Sequence, residues 1–320
     1  NKSATTLTDL QAPLANITQD GNTLSQNAWQ FDFNSTWGAE NSTVGDDQLT
    51  ATADKYTIKA LAGDDIINAL DGEHEVLPGN GNDTITFSSD YNTLSYADAS
   101  AAVTVNLGLG TTTGTNKSDT FTGIVDTVVG SEFDDTLIGS AADEIFAGGR
   151  GNDTIDGGSG YDSLSYRYDL GFAIQANFSE GKVTDGYGDT DTVSNIYSLH
   201  GTRLDDTVIG GQGFGSFRGF AGNDTFQGAV YDEVTDTGYE TMDYRKDYKV
   251  KDSDGNVATQ GINVDLSQST AIDSYGDTDT LINIDRIRAT KYDDILKGDA
   301  QNNRFEGGDG SDKFIFAGNW

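Results

Sequence analysis

Apolar residues recur every nine positions in four stretches of the chain. The units "GGRGNDTID" and "GGSGYDSLS" (148–165) share a frame, GGxGxDxUx with U apolar, that fits four units over 130–165. The same frame fits six units from Ser42 to Ser95, three over 201–227 and three over 289–315. Its eighth positions are Leu49, Ile58, Ile67, Val76, Ile85, Leu94, Leu137, Phe146, Ile155, Leu164, Val208, Phe217, Phe226, Leu296, Phe305 and Phe314. All sixteen are apolar in a chain that is 35% hydrophobic, so the period is real. Six residues rich in Gly and Asp make a turn, because glycine accepts backbone angles closed to other residues. The remaining three make a short strand whose middle residue points inward.

The runs themselves recur, their Asp pairs at 64–65, 134–135, 205–206 and 293–294 stepping by 70, 71 and 88 residues. The segments between them also match. "VTVNL" (103–107) answers "INVDL" (262–266), and "GYGDTDTVSNI" (186–196) answers "SYGDTDTLINI" (274–284). Their alternating apolar residues predict strands with one buried face. Such internal periodicity marks a solenoid. The expected fold is all-β, a parallel β-solenoid of about four blocks. N-terminal cap strands are expected over 1–41 and repeat blocks over 42–95, 130–165, 201–243 and 289–320. Spacer coils fill 96–129, 166–200 and 244–288, the last with an insertion near "YKVKDSDGNVATQ" (248–260). The start at Asn1 and the stop after "FIFAGNW" suggest a piece of a longer protein, with the fourth block continuing.

Two nine-residue units close one flattened coil, so residues 18 apart stack on neighbouring coils. Strands lie about 4.8 Å apart and calcium binds oxygen at about 2.3–2.6 Å. An ion between stacked turns would therefore reach a sixth-position carboxylate from each. One rail of sixth positions carries Asp47, Asp65 and Asp83, then Asp135 and Asp153, Asp206 and Asp224, Asp294 and Asp312. The opposite rail reads Tyr56, His74, Asn92, Glu144, Asp162, Gly215 and Asn303, where only Glu144 and Asp162 form a carboxylate pair. Calcium is thus expected regularly on the first rail and sparsely on the second. The spacer pairs Asp189/Asp191 and Asp277/Asp279 either cap a turn or hold a further ion. The fifth-position Asp64, Asp134, Asp205 and Asp293 are expected to face solvent.

"GGRGNDTID", "GGSGYDSLS" and "GGDGSDKFI" resemble the haemolysin-type calcium-binding nonapeptides of repeats-in-toxin (RTX) proteins. The resemblance implies a right-handed parallel β-roll with several calcium ions between turns, secreted and folded outside the cell. It covers most of residues 42–315, counting spacers similar to those of large bacterial surface proteins.

Charge agrees with a cation ligand. Against 52 Asp and Glu stand 19 Lys and Arg, a formal net charge of −33. Such a chain repels nucleic acid and anionic membrane, which are bound through Lys and Arg. Without metal, carboxylates about 5 Å apart repel by roughly 3 kcal/mol per pair at an effective dielectric near 20. Several pairs rival a domain stability of about 5–15 kcal/mol, so binding and folding should coincide. The chain has no cysteine, which removes disulfides and thiolate zinc sites, and no apolar run long enough to span a membrane.

Enzyme signals are weak. His74 lacks the second histidine of HExxH because position 78 is Pro, and His200 precedes a turn. No G-x-S-x-G or phosphate-loop sequence occurs, and "DSDGN" (252–256) lacks the rest of an EF-hand spacing. Carboxylate pairs of glycosidase type are present everywhere, but calcium accounts for them better. Trp29, Phe31, Phe33 and Trp37 are expected to form a cap core over the open solenoid end. The recurring Tyr96, Tyr166 and Tyr244 are expected to close coils. An ice-binding Thr row at Thr84, Thr154 and Thr225 is disfavoured because Glu144 and Ser163 are expected to interrupt it.

The leading reading is a non-catalytic, calcium-dependent structural or adhesive segment of a bacterial secreted or cell-surface protein, adhesin or S-layer-like and exported by a type I system. Cell-surface glycan or further copies of the parent protein are its expected partners. The alternative is the accessory region of a secreted polysaccharide epimerase, lipase or protease whose catalytic part lies outside this chain.

Overall fold

The computed structural model describes residues 42–51, 55–88, 91–167, 169, 171–229, 240–245 and 255–316, and the antiparallel pair Thr18–Gln19 and Asn22–Thr23. Residues 1–35 and 36–320 form separate compact units, and the second carries all the repeats. The aromatic cap residues Trp29, Phe31, Phe33 and Trp37, and most of the insertion at 248–260, lie outside the described residues.

Each coil contributes one short strand to each of two sheets. The smaller sheet has 11 strands, all parallel, running from Lys55–Lys59 to Arg304–Glu306. The larger has 18 and runs from Gln48–Ala51 to Lys313–Ile315. Within blocks the register steps by 18, as in Leu49↔Ile67↔Ile85, Ile58↔Val76↔Leu94, Leu137↔Ile155 and Val208↔Phe226. The chain is a β-roll, and its core is the double file of eighth-position side chains. Fourteen of the sixteen are at most 4% exposed. Phe305 is partly buried and Phe314 is 44% exposed, in the last described strand, where no further described coil covers it.

The spacers are more than longer coils. Each is a three-stranded antiparallel meander in the larger sheet: Val103–Asn106, Thr111–Gly114 and Lys117–Thr122 in the first. Gln175–Asn177, Lys182–Thr184 and Thr190–Ser194 form the second. Asn263–Asp265, Thr270–Ile272 and Thr278–Ile282 form the third. The last strand of each meander lies parallel to the coil before it (Thr120↔Thr84, Thr192↔Thr154, Thr280↔Thr225). The first strand lies parallel to the coil after it (Thr104↔Thr136, Gln175↔Thr207, Asn263↔Ile295). The chain thus lands two strand positions beyond its next place, returns through those positions by a hairpin, and resumes. In the first spacer that return is a two-residue turn, and Asn116 takes the left-handed conformation it needs (φ 57).

The outward Thr row is longer than it looks in sequence. Thr84, Thr120, Thr104, Thr136, Thr154, Thr192, Thr207, Thr225 and Thr280 all belong to the larger sheet, paired in part through the spacer meanders. Glu144 and Ser163 lie on the other side of the roll, with the smaller sheet, and do not interrupt it. Cross-strand pairing of β-branched side chains accounts for the row.

Candidate metal centre

The register brings an aspartate to the sixth position of all twelve coils of the larger sheet. In order they are Asp47, Asp65, Asp83, Asp119, Asp135, Asp153, Asp191, Asp206, Asp224, Asp279, Asp294 and Asp312. Their Oδ1 atoms form a ladder, each accepting the backbone N–H of the rail residue one coil earlier. Asp47 N–H donates to Asp65 at 2.7 Å, Asp65 to Asp83 at 2.9 Å and Asp83 to Asp119 at 3.1 Å. Asp135 donates to Asp153 at 2.8 Å, Asp153 to Asp191 at 2.9 Å, Asp206 to Asp224 at 2.9 Å and Asp224 to Asp279 at 3.0 Å. Where a meander intervenes, an apolar residue supplies the N–H: Val103 for Asp135, Ile174 for Asp206 and Ile262 for Asp294.

The second oxygen, Oδ2, divides the rail into two kinds of turn. At the head of each block a Ser or Thr four residues earlier satisfies the carboxylate from its own turn. Thr43 donates to Asp47, Ser131 to Asp135, Thr202 to Asp206 and Thr290 to Asp294, each through backbone N–H and hydroxyl. Ser140 does the same for Glu144 on the opposite side. In the turns that follow, that position instead takes a positive φ: Leu61 (73), Gly79 (81), Gly149 (99), Gly158 (85), Phe220 (70) and Gly308 (83). Its N–H no longer serves the carboxylate. As a result Asp65, Asp83, Asp153, Asp162 and Asp224 each keep a buried Oδ2 without a hydrogen-bond partner.

A buried unpaired carboxylate oxygen is costly, so these five open turns want a cation or a proton. The turn geometry leaves room for one. A Cβ on Gly148 would stand 2.1 Å from Asp153 Oδ2, and one on Gly130 would meet Gly148 O at 2.2 Å and Asp135 Oδ2 at 2.5 Å. Carboxylate and carbonyl oxygens therefore converge where only glycine fits. Among the described residues no three Asp, Glu or His side chains converge as a metal-binding group, so main-chain carbonyls must complete any shell. Hard oxygen donors of this kind suit calcium. Gly148→Ala should push the Asp153 carboxylate out of its cradle. Calorimetric titration is expected to show one calcium site lost or weakened at least tenfold, with the others unchanged.

Electrostatics agrees. Burial, reinforced by neighbouring carboxylates, raises Asp153 to about 9, Asp191 to about 7 and Asp135 to about 6. Burial likewise raises Asp65, Asp83, Asp162, Asp206, Asp224, Asp279 and Asp294. Metal aside, burial makes these groups harder to ionise than exposed carboxylates.

The spacer pairs split by role. Asp191 and Asp279 are rail members, and their Oδ2 atoms accept the hydroxyls of Tyr166 (2.6 Å) and Tyr244 (2.7 Å). Asp189 and Asp277 cap glycine turns, accepting the N–H of Gly151 and Gly222, each at 3.0 Å. Tyr96 matches the pattern at Asp119, 3.0 Å away. Each recurring tyrosine is buried and reaches across the core to a rail aspartate. The exposed Asp64, Asp134, Asp205 and Asp293 form a second ladder of opposite sense, accepting the N–H of Asn82, Asn152, Asn223 and Ser311 in the next coil.

The opposite rail carries more acid than the blocks alone reveal. Through the spacers its order is Tyr56, His74, Asn92, Asp126, Glu144, Asp162, Tyr197, Gly215, Glu240, Asp285 and Asn303. Asp126, Glu240 and Asp285 join the expected Glu144 and Asp162, so acid is less one-sided than the blocks suggest. Asp126 Oδ2 accepts Asn92 N–H at 2.8 Å and Asp162 Oδ1 accepts Glu144 N–H at 2.9 Å. Asp119 and Asp126 fall outside the sequence frame because each unit keeps a single glycine, Gly114 and Gly123. Both keep an Asp-Thr-apolar triplet, "DTF" and "DTV", which a search for that triplet alone would find. His74 Nε2 lies 3.1 Å from Leu70 O, and a His200 ring nitrogen lies 3.4 Å from Arg218 Nη1.

A family model described as RTX calcium-binding nonapeptide repeat (4 copies) matches residues 42–73, 57–85, 129–164, 200–229 and 277–314. No curated protein matches the chain.

Proposed function

The chain belongs to the RTX calcium-binding nonapeptide-repeat proteins, and on that premise we propose that it is a non-catalytic, calcium-folded structural or adhesive segment of a secreted or cell-surface bacterial protein. Its repeats are a calcium-binding structural region. The observation that carries the reading is the set of buried, unpartnered Oδ2 atoms on Asp65, Asp83, Asp153, Asp162 and Asp224. Asp312 occupies the same kind of open turn, after Gly308 and Gly310 at positive φ.

Calcium would sit at these turns, held by the open-turn carboxylate and turn carbonyls, with the capped Asp47, Asp135, Glu144, Asp206 and Asp294 forming the facing wall. Bound there, it supplies positive charge that lets buried carboxylates stay ionised. The protein residues supply a rigid frame: the Oδ1 ladder fixes each carboxylate, and the eighth-position core fixes the coil spacing. The reading places the chain outside the cell, where calcium reaches the range of about 0.1–1 mM in which extracellular modules bind it. Among the described residues no helix is long and apolar enough to cross a membrane. Export by a type I system, glycan contact and contact with other copies belong to the same reading. Equilibrium dialysis at millimolar calcium is expected to find several ions retained per chain. A chain that binds none would end the reading.

A further inference from the structure

Five of the chain's eight arginines gather at one end of the smaller sheet, in a chain whose formal net charge is −33. Its last four strands are Ser216–Arg218, Thr241–Asp243, Arg286–Arg288 and Arg304–Glu306. Arg218, Arg286, Arg288 and Arg304 flank the inward residues Phe217, Ile287 and Phe305, which puts them on the outer face, and Arg245 follows the second strand. Arg286 stands directly opposite Arg304, and Arg288 stands between Asp243 and Glu306. With strands about 4.8 Å apart, the cluster extends about 14 Å along the roll. The five strands before it, from Thr93–Ser95 to Ser198–His200, carry neither Lys nor Arg.

Two carboxylates face these five guanidiniums. Asp243 Oδ2 accepts from Arg218 Nη2 at 2.7 Å and Arg245 Nη2 at 2.8 Å. Glu306 meets Arg286 Nη2, and it lies 3.3 Å from both Arg288 Nε and Arg304 Nη2. Five cations against these two anions leave a surplus of three positive charges. Donor capacity is in surplus too: five guanidiniums offer about 25 N–H groups, and two carboxylates accept about eight. Arg218 and Arg286 each keep a buried Nε without a hydrogen-bond partner. Like charges directly opposite across a ladder are destabilising, as at Arg286 and Arg304. Burial, and then the Arg245 and Arg286 guanidiniums, lower Arg288. The Arg245 and Arg304 side chains are 48% and 54% exposed, so the cluster is open to solvent at its rim.

We infer that this end of the smaller sheet is a docking surface for a linear acidic glycan, whose uronate carboxylates Arg245 and Arg304 take at the rim and the surplus charge of Arg218, Arg286 and Arg288 attracts. The planar guanidinium fork matches a carboxylate bidentately, which an ammonium does not. A polymer with a carboxylate on each sugar can meet several forks along a row of this length. Protein interfaces are instead anchored by apolar and aromatic side chains. Among the described residues, none of the exposed large apolar side chains belongs to these four strands. A second copy of the chain would bring its own −33. Screening over about 8 Å at physiological ionic strength confines a polyanion to this patch and away from the acidic turns. The inference rests on the reading of an extracellular segment that contacts glycan, and it names the class of glycan and the place.

The test is calorimetric titration of the calcium-loaded chain with a mannuronate hexamer, beside the neutral cellohexaose and a poly-glutamate peptide. The hexamer is expected to bind, more weakly as salt is added, and cellohexaose is not. The double variant Arg245→Gln/Arg304→Gln should bind the hexamer at least tenfold more weakly, and Arg150→Gln, an exposed arginine on another face, should leave it unchanged. Equal binding by the double variant, or of cellohexaose, overturns the inference. So does binding of poly-glutamate without the hexamer, which would make the partner a protein. A chain that takes up calcium and ignores the hexamer overturns this inference alone, whereas one that takes up no calcium sinks the functional reading with it. If the double variant does not recover a β spectrum, phenylglyoxal modification of the unaltered chain, read by mass spectrometry, decides the matter. The hexamer is expected to protect Arg245 and Arg304 and not Arg150, and equal modification of all three overturns the inference.

Discussion

Chelation of calcium at neutral pH is expected to abolish the far-ultraviolet β spectrum of this chain, and restoring millimolar calcium to return it in one cooperative step. At tenfold above its dissociation constant each ion stabilises the folded state by about 1.4 kcal/mol. The open turns of Asp65, Asp83, Asp153, Asp162, Asp224 and Asp312 would then contribute on the order of 8 kcal/mol together, the scale of a whole domain's stability. Cooperativity follows because each Oδ1 accepts an N–H from the neighbouring coil, so a turn cannot order alone. The measurement is circular dichroism against free calcium. A β spectrum that survives excess chelator at pH 7 would refute the expectation.

Acidification should partly replace the metal. The folded chain holds Asp153 at about 9, Asp191 and Asp273 at about 7 and Asp135 at about 6, against an unfolded aspartate near 3.9. A carboxyl raised on folding binds its proton more tightly in the native state. Its stabilising effect is therefore complete below the unfolded value and lost as pH climbs through the folded one. For the metal-free chain that window runs from about pH 4 to about pH 9. Chelated protein is expected to show more β structure at about pH 5 than at about pH 8, the reverse of ordinary acid denaturation. Calcium should shift the balance, because an ion at the same oxygens competes with the proton. Circular dichroism with chelator across that range checks it, and a spectrum richer in β structure at the alkaline end contradicts it.

Much of this was legible in the residues. A nine-residue period with an apolar eighth position specifies strands, turns and an 18-residue stack, and Leu137↔Ile155 and Phe146↔Leu164 pair in that register. The choice between satisfied and unsatisfied carboxylates was also written locally, in whether a Ser or Thr stands four residues before the acid, as Ser131 does for Asp135. Its meaning appeared only beside Gly149, whose positive φ in the next coil leaves Asp153 Oδ2 unpartnered. The tyrosines were expected to close coils. Their hydroxyl contacts to Asp119, Asp191 and Asp279 cross the core between residues 23, 25 and 35 apart, a separation no local pattern encodes.

What the sequence by itself determined is the repeat unit: a polar turn, an inward apolar residue, and an acid fixed relative to both. That follows from backbone geometry, which is local. What only the tertiary structure decided is which acids are neighbours once the clock is interrupted. Asp153 and Asp191 are 38 residues apart and Asp224 and Asp279 are 55 apart, yet each pair sits on adjacent strands. The meander is the reason. Its hairpin advances the chain two strands and brings it back, so distance along the sequence stops measuring distance along the roll. The same detour carries Lys117 to the turn carbonyl of Gly79.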